Sequence, residues 1–239
     1  MGAIDWSQYT NVVILTGAGV SVASGLKPFR GPGGIWEQMD HPLEEKTLDS
    51  DPQLVWEFFS TMRKQALSAL PNAAHHALAK IETSFEGQWT LITQNVDGLH
   101  QRAGSLNVIE LHGSLYKASC RACQAPLDPL KVPQSVALPG CEVCGGVIRP
   151  DVVLFGEYMP AEPEWLSKRA LRDCDLFVAI GTSGTVSPAS NFVRGAKYAG
   201  AHTILVNLEP MNPPNPAFDR QIIGRAEDIL PQLLGVEAP

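Results

Sequence analysis

No stretch of this 239-residue chain approaches the apolar length needed to span a membrane. Its first ten residues include Asp5 and lack a cationic, apolar leader pattern. Positive charge is scarce. Eighteen Lys and Arg stand against 25 Asp and Glu, a formal net charge of −7. This balance argues against broad contact with nucleic acid or an anionic membrane, because both need a basic face. It leaves room for a local acidic groove that attracts a basic peptide. Cysteine is also sparse, at five residues. The cytoplasm is the expected compartment. Thiols stay reduced there, so paired cysteines point to metal or redox chemistry rather than a covalent staple. Internal repeats and low-complexity tracts are missing too. What is present is ordinary for a globule: 44% hydrophobic and 18% charged residues, with length enough to bury a sizeable core.

The first informative stretch starts with the apolar run Val12-Val13-Ile14-Leu15, long enough for one buried strand. It breaks at Thr16-Gly17-Ala18-Gly19 and continues through Val20-Ser21-Val22. A buried strand, a glycine turn and a helix start form a phosphate site, because backbone N–H groups at the helix start face an anion. The dinucleotide fingerprint is incomplete. Its third glycine position holds Val22, and no acidic residue ends a second strand about 20 residues on. An ordinary strand-to-helix turn would fit this stretch equally well.

Further apolar runs at 89–93, 108–111, 176–180 and 203–206 read as strands. Helical patterns at 72–82, 164–173, 189–198 and 226–234 alternate with them. This alternation predicts an α/β fold, a Rossmann-like parallel sheet with helices on both faces. Two segments interrupt it. Residues 33–70 lack a strand pattern, and their second half is an amphipathic helix carrying Leu54, Val55, Phe58, Phe59 and Met62. Residues 119–146 are rich in Pro and Cys and lack apolar periodicity. The whole chain, 1–239, is expected to be one domain. Its larger lobe would be built from 1–32, 71–115 and 147–239, and its small lobe from the helical 33–70 and the cysteine-bearing 116–146.

Cys120-Arg-Ala-Cys123 and Cys141-Glu-Val-Cys144 have the spacing of a four-thiolate zinc site. Gly140, Gly145 and Gly146 would supply the turn of the second knuckle. Four sulfurs leave no open position, so the zinc would be structural and would help fold a segment with little core of its own. Two redox dithiols are the alternative. Cys174 stands apart, before a buried strand, and reads as an inert thiol.

The ends of the predicted strands carry polar tips: Gln94-Asn95-Val96-Asp97-Gly98, His112-Gly113, Gly181-Thr182-Ser183 and Asn207-Leu208-Glu209. Ligands sit at the carboxyl ends of strands in an open parallel sheet. His112 is a candidate general base near neutral pH. Read singly, each tip could be a capped turn, and His112 a structural hydrogen-bonder.

The ordered set GAGVS, FRG, QNVD, HG, the two cysteine pairs, VVLFGE, GTS and VNLE resembles the sirtuins, NAD-dependent protein-lysine deacylases. The resemblance runs from about Val12 to Leu234. It implies that Gly17, Ala18 and Gly19 cradle the NAD phosphates, and that Ser21, Phe29, Arg30 and Trp36 also contact the cofactor. Gln94, Asn95 and Asp97 would line the ribose and nicotinamide pocket, with Asn95 and Asp97 joining His112, the base, in catalysis. Gly181, Thr182 and Ser183 would meet ribose and phosphate. Asn207, Glu209 and Ala226 would hold the adenosine end, which accounts for the missing acidic residue. The segment 153–157 resembles a strand that pairs with the substrate peptide through Val153, Phe155 and Gly156. Expected partners are acylated lysine side chains of proteins, with no direct nucleic acid and no membrane; a monomer is the default state. The co-product would be O-acyl-ADP-ribose.

Three positions depart from the family pattern. Lys27-Pro28 stands where relatives usually have Pro followed by Thr or Asp. Gly184 stands where a larger residue is common. Third, 31–36 and 55–59 resemble the bacterial and mitochondrial branch that removes succinyl and malonyl groups. That branch reads the acyl carboxylate with a Tyr and an Arg, and this chain has Phe59 and Met62 there. Neither can pair with a carboxylate, so neutral acyl groups are the expected substrates, unless the two are core residues facing away. A mono-ADP-ribosyltransferase and a non-catalytic NAD-binding module are the competing functions. His112 argues against the first, and the set Asn95, Asp97 and His112 against the second.

Overall fold

The structure is a computed structural model that describes residues 2–29, 33–38, 43–132, 138–184 and 187–236. Its elements, in chain order, are β1 (Asn11–Thr16), α1 (Glu45–Ser50), α2 (Pro52–Ser68), α3 (Ala73–Ser84), β2 (Gln88–Thr93), α4 (Leu99–Arg102), β3 (Val108–Glu110), β4 (Gly113–Cys120), β5 (Pro126–Leu127), β6 (Ile148–Val152), α5 (Ala161–Arg172), β7 (Leu176–Ile180), α6 (Phe192–Tyr198), β8 (His202–Asn207), β9 (Arg220–Ile223) and α7 (Ala226–Leu234). Six strands form one parallel sheet in the order β3-β2-β1-β7-β8-β9. Strand order reverses between β1 and β7, and a crevice opens at such a switch point.

Both faces of this sheet are covered, which is why its strands are apolar throughout. Val12 and Ile14 of β1 face Leu78 and Ile81 of α3 and Leu230 and Leu233 of α7. Val13 and Leu15 face the other side, with Phe177, Phe192, Val193 and Leu205. The helices start where side chains satisfy free backbone donors. The Asp51 carboxylate accepts from the Leu54 N–H at 3.0 Å, with Pro52 opening α2. The Asn72 amide oxygen accepts from the Ala74 N–H at 2.9 Å, and His75 Nδ1 reaches back to the Asn72 N–H at 3.3 Å.

A second, antiparallel sheet has the order β5-β4-β6. Helix α2 packs on it through Val55, Phe59 and Ala66, against Leu115, Val152 and Leu154. Trp56 packs with Ala118, Cys120, Cys141 and Ile148, joining α2 to the cysteine module.

Three details differ from the sequence expectation. Strands β4, β6 and β9 lie outside the expected strands. A register shift between Gly113 and Ala118 breaks the pattern of β4, and β6 is a short strand that carries Pro150, a residue that reads against a strand in sequence. The segment 153–157 is not a strand, because β6 ends at Val152. Phe155 makes only an isolated parallel bridge to Glu44. The proline-rich loop at 210–216 leads into β9, which intervenes before α7.

Candidate active site

At the switch point the tips of β1 and β7 touch. The Gly17 N–H donates to the Ile180 carbonyl at 3.0 Å, and the Gly19 N–H to the Gly181 carbonyl at 2.9 Å. A Cβ at Gly17 or at Gly19 would lie 2.7 Å from Gly181 backbone atoms. The expected role of these glycines is to cradle phosphate. The protein's own backbone already requires them, and the same turn leaves Ala18 at the start of a 3-10 turn, Ala18–Ser24. Gly184 also has its explanation here. Its φ of +66° is left-handed backbone that strains a side chain, whereas Met211 Cε, 2.1 Å from an added Cβ, is the end of a flexible side chain that can move aside.

A cavity of about 420 Å³, counting its open mouth, lies beside this turn. Ala18, Ser21, Lys27, Phe29, Asn95 and Asp97 are part of its wall. Its polar groups are tied together. Ser21 Oγ donates to Asp97 Oδ2 at 2.8 Å, and Asn95 Nδ2 donates to Ser21 Oγ and to the Gly17 carbonyl, both at 3.2 Å. Asp97 Oδ1 accepts from the Leu99 N–H at 3.0 Å. Burial pushes the Asp97 carboxyl above its ordinary value, while these hydrogen bonds pull the other way. Gln94 Nε2 reaches the β7 tip at Thr182 Oγ1, 3.0 Å.

His112 follows β3. Its Nδ1 lies 3.0 Å from the Gln94 carbonyl. A carbonyl can only accept, so Nδ1 carries the proton and Nε2 keeps its lone pair. Burial pushes the imidazole pKa below its ordinary value of 6.5, against the Gln94 bond. The ring is therefore neutral at pH 7, in the form a general base needs. Gly113 lets the chain turn away from it: φ is +85° and an added Cβ would meet the Asp151 carbonyl at 2.0 Å.

Behind the cavity lies a buried set that sequence reasoning missed. Thr16 Oγ1 bonds Thr93 Oγ1 and His100 Nε2, each at 2.9 Å. The His100 ring centroid is 4.8 Å from that of His75, which in turn approaches Ser21 Oγ at 3.5 Å. The Tyr116 hydroxyl donates to the Asp97 carbonyl at 3.0 Å. None of these follows a motif. The one local signal was Pro71-Asn72, which starts the helix that carries His75.

Other predicted residues lie further out. Ser183, Asn207 and Glu209 sit at or just beyond the ends of β7 and β8, with Ser183 and Glu209 exposed. Ala226 opens α7 and is buried. Met62 lines the cavity, whereas Phe59 is buried in the α2 cluster with Leu43, Leu48 and Val96. Val153 is half-buried, and its N–H donates to the His112 carbonyl at 3.0 Å. Phe155 exchanges backbone bonds with Leu43 and Glu45, and Gly156, at φ +90°, is exposed. Arg30 falls outside the described residues. Trp36 belongs to a 3-10 turn, Ile35–Gln38, and its side chain falls outside them as well.

The four cysteine sulfurs all lie within 4.8 Å of one another. Cys120–Cys144 is 3.5 Å and Cys123–Cys141 is 3.6 Å. Tetrahedral zinc, with bonds of about 2.3 Å, needs sulfurs about 3.8 Å apart, so the set fits. Gly146 leaves room for the sulfurs, since an added Cβ would lie 3.0 Å from Cys120 Sγ. Cys174 is separate and buried. Its Sγ donates to the Leu176 carbonyl at 3.1 Å, and burial pushes its thiol up to about 12, leaving it inert.

Residues 17–188 match the Sir2 family. This chain belongs to the Sir2 family. It is 43% identical over 225 residues to NAD-dependent protein deacylase 2 of Pyrobaculum aerophilum, covering 93% of this chain and 89% of the relative. It is 43% identical over 236 residues to an NAD-dependent protein deacylase of Shewanella oneidensis, covering 95% and 94%. Among solved structures it resembles a Sir2 homologue bound to NAD, with a TM-score of 0.88, 34% identity and 98% and 94% coverage. It also resembles a Sir2–p53 peptide–NAD+ structure, with a TM-score of 0.86, 30% identity and 96% and 94% coverage. The strand-end cavity, the neutral His112 and the four-thiolate cluster are thus parts of one Sir2 chain.

Proposed function

We infer that this Sir2 chain is an NAD-dependent protein-lysine deacylase that releases nicotinamide and O-acyl-ADP-ribose. The observation that carries the reading is His112, held neutral by burial with its Nδ1–H on the carbonyl of Gln94, the residue that precedes Asn95 of the cavity wall. NAD, when bound, supplies a ribose carbon from which neutral nicotinamide can leave. The 17–19 turn would take the phosphates on its backbone. Asn95 and Asp97, pre-set by Ser21 and the Leu99 N–H, would orient the ribose and nicotinamide end, and Phe29 would help exclude water. His112 Nε2 would accept the ribose hydroxyl proton, with the Gln94 carbonyl stabilising the imidazolium that forms. Zinc, held by Cys120, Cys123, Cys141 and Cys144, would brace the small lobe and take no part in the chemistry.

His112→Ala tests this reading. Deacylation of an acetyl-lysine peptide should fall by about 10² or more, while ADP-ribose still binds. Unchanged NAD-dependent turnover would refute the assignment.

The finer reading concerns the acyl group. Phe59 and Met62 stand where the succinyl- and malonyl-removing branch has its Tyr and Arg. Met62 lines the cavity, and a thioether offers a carboxylate no charge partner. Burying an acyl carboxylate there unpaired costs several kcal/mol, so acetyl and longer neutral groups are the preferred substrates. Turnover of acetyl-, succinyl- and myristoyl-lysine peptides measures this. Succinyl turnover equal to acetyl would sink the prediction.

A further inference from the structure

The loop after β6 is gripped from three directions. The Val153 N–H is bonded to the carbonyl of His112. The Glu45 N–H donates to the Phe155 carbonyl at 2.9 Å, and the Phe155 N–H to the Leu43 carbonyl at 3.3 Å. The third grip is made by side chains that the reaction does not use. Glu157 and Arg149 form a two-pronged ion pair, Nη1 to Oε1 and Nη2 to Oε2, the latter at 2.9 Å. Glu157 Oε2 also accepts from the Leu154 N–H at 2.8 Å, and Arg149 Nη2 also donates to the Val152 carbonyl at 2.7 Å.

The pair therefore holds the backbone on both sides of Val153. Its side chains are only 19% and 14% exposed. A fork-to-fork pair with so little solvent around it keeps one geometry, unlike a surface pair of lysine and carboxylate. Each ion also takes up a backbone group of the loop, the Leu154 N–H or the Val152 carbonyl. Val153 is bonded to His112, so the pair sets where the loop stands relative to the base.

We propose that Arg149 and Glu157 are positioning residues for the acylated peptide, acting by clamping the 152–157 backbone over His112. This rests on the deacylase reading and adds to it a residue pair that lies outside the cavity wall and is not bonded to the base. Loosening the clamp leaves the 17–19 turn and the Ser21–Asn95–Asp97 set in place. Peptide capture is then weakened and nucleotide binding is not.

Steady-state kinetics on an acetyl-lysine peptide at saturating NAD, with ADP-ribose titration as the control, test the proposal. Glu157→Gln and Arg149→Lys should each raise the peptide KM by about tenfold, with kcat and the ADP-ribose Kd within about twofold of wild type. Exchanging the pair, Arg149→Glu with Glu157→Arg, should not restore the peptide KM, because an arginine at 157 cannot accept from the Leu154 N–H. A peptide KM within about twofold of wild type in both single variants overturns the proposal. So does a joint rise of peptide KM and ADP-ribose Kd, which marks general loosening, and so does rescue by the exchange. A wild-type protein with no NAD-dependent turnover would instead remove the deacylase reading on which the proposal stands.

Discussion

His75 should make this protein acid-sensitive by an amount that can be worked out. The residue is fully buried. Its Nδ1 accepts from the Asn72 N–H, and its ring lies against His100, itself buried and held neutral by burial. Burial, with a smaller push from His76, lowers its pKa from 6.5 to about 4. The sign follows. The unfolded chain binds a proton that the folded chain refuses, so the neutral ring favours folding fully above pH 6.5. That contribution is lost as pH falls from 6.5 toward 4. Integrated from pH 7.5 to 4.5, the loss from this one group is about 2–3 kcal/mol. His75→Gln keeps a donor and an acceptor but cannot titrate. Urea unfolding at both pH values, for wild type and variant, isolates the effect. Both proteins carry the same cysteines, so acid release of metal cancels in the comparison. The pH-dependent loss of stability should shrink by about 2–3 kcal/mol in the variant. A variant that loses as much stability as wild type would show that His75 is not the buried neutral group described here.

Two further perturbations probe the site and its support. Gly113→Ala forces a side chain into left-handed backbone and against the Asp151 carbonyl, so it should cost about 2 kcal/mol or more and displace the adjacent His112. Chemical denaturation with a deacylation assay reads both effects, and wild-type behaviour in both would contradict the fit. Stripping metal with a chelator at neutral pH should lower Tm by at least about 5 °C, because the cysteine module buries little beyond Trp56, Ala118 and Ile148. An unchanged Tm in protein shown to be metal-free would argue against a structural zinc.

Sequence alone determined whatever rests on local chemistry or local period. The runs around Val12, Leu91, Phe177 and Leu205 are apolar because both sheet faces are covered, so their strands and the parallel architecture were legible. The two C-x2-C pairs stated a tetrahedral thiolate site by spacing alone. The strand-end motifs, taken as an ordered set, pointed to His112, Asn95 and Asp97. Tertiary structure decided what depends on distant backbone and on burial. Gly17 and Gly19 are glycines because the Gly181 backbone approaches them, from a position far along the chain. β4 was hidden because a register shift breaks its alternation, and β6 because it is five residues long with Pro150 at its centre. His75 and His100 follow no motif. Only packing under the nucleotide turn removes their water, and that desolvation, not their place in the sequence, holds them neutral.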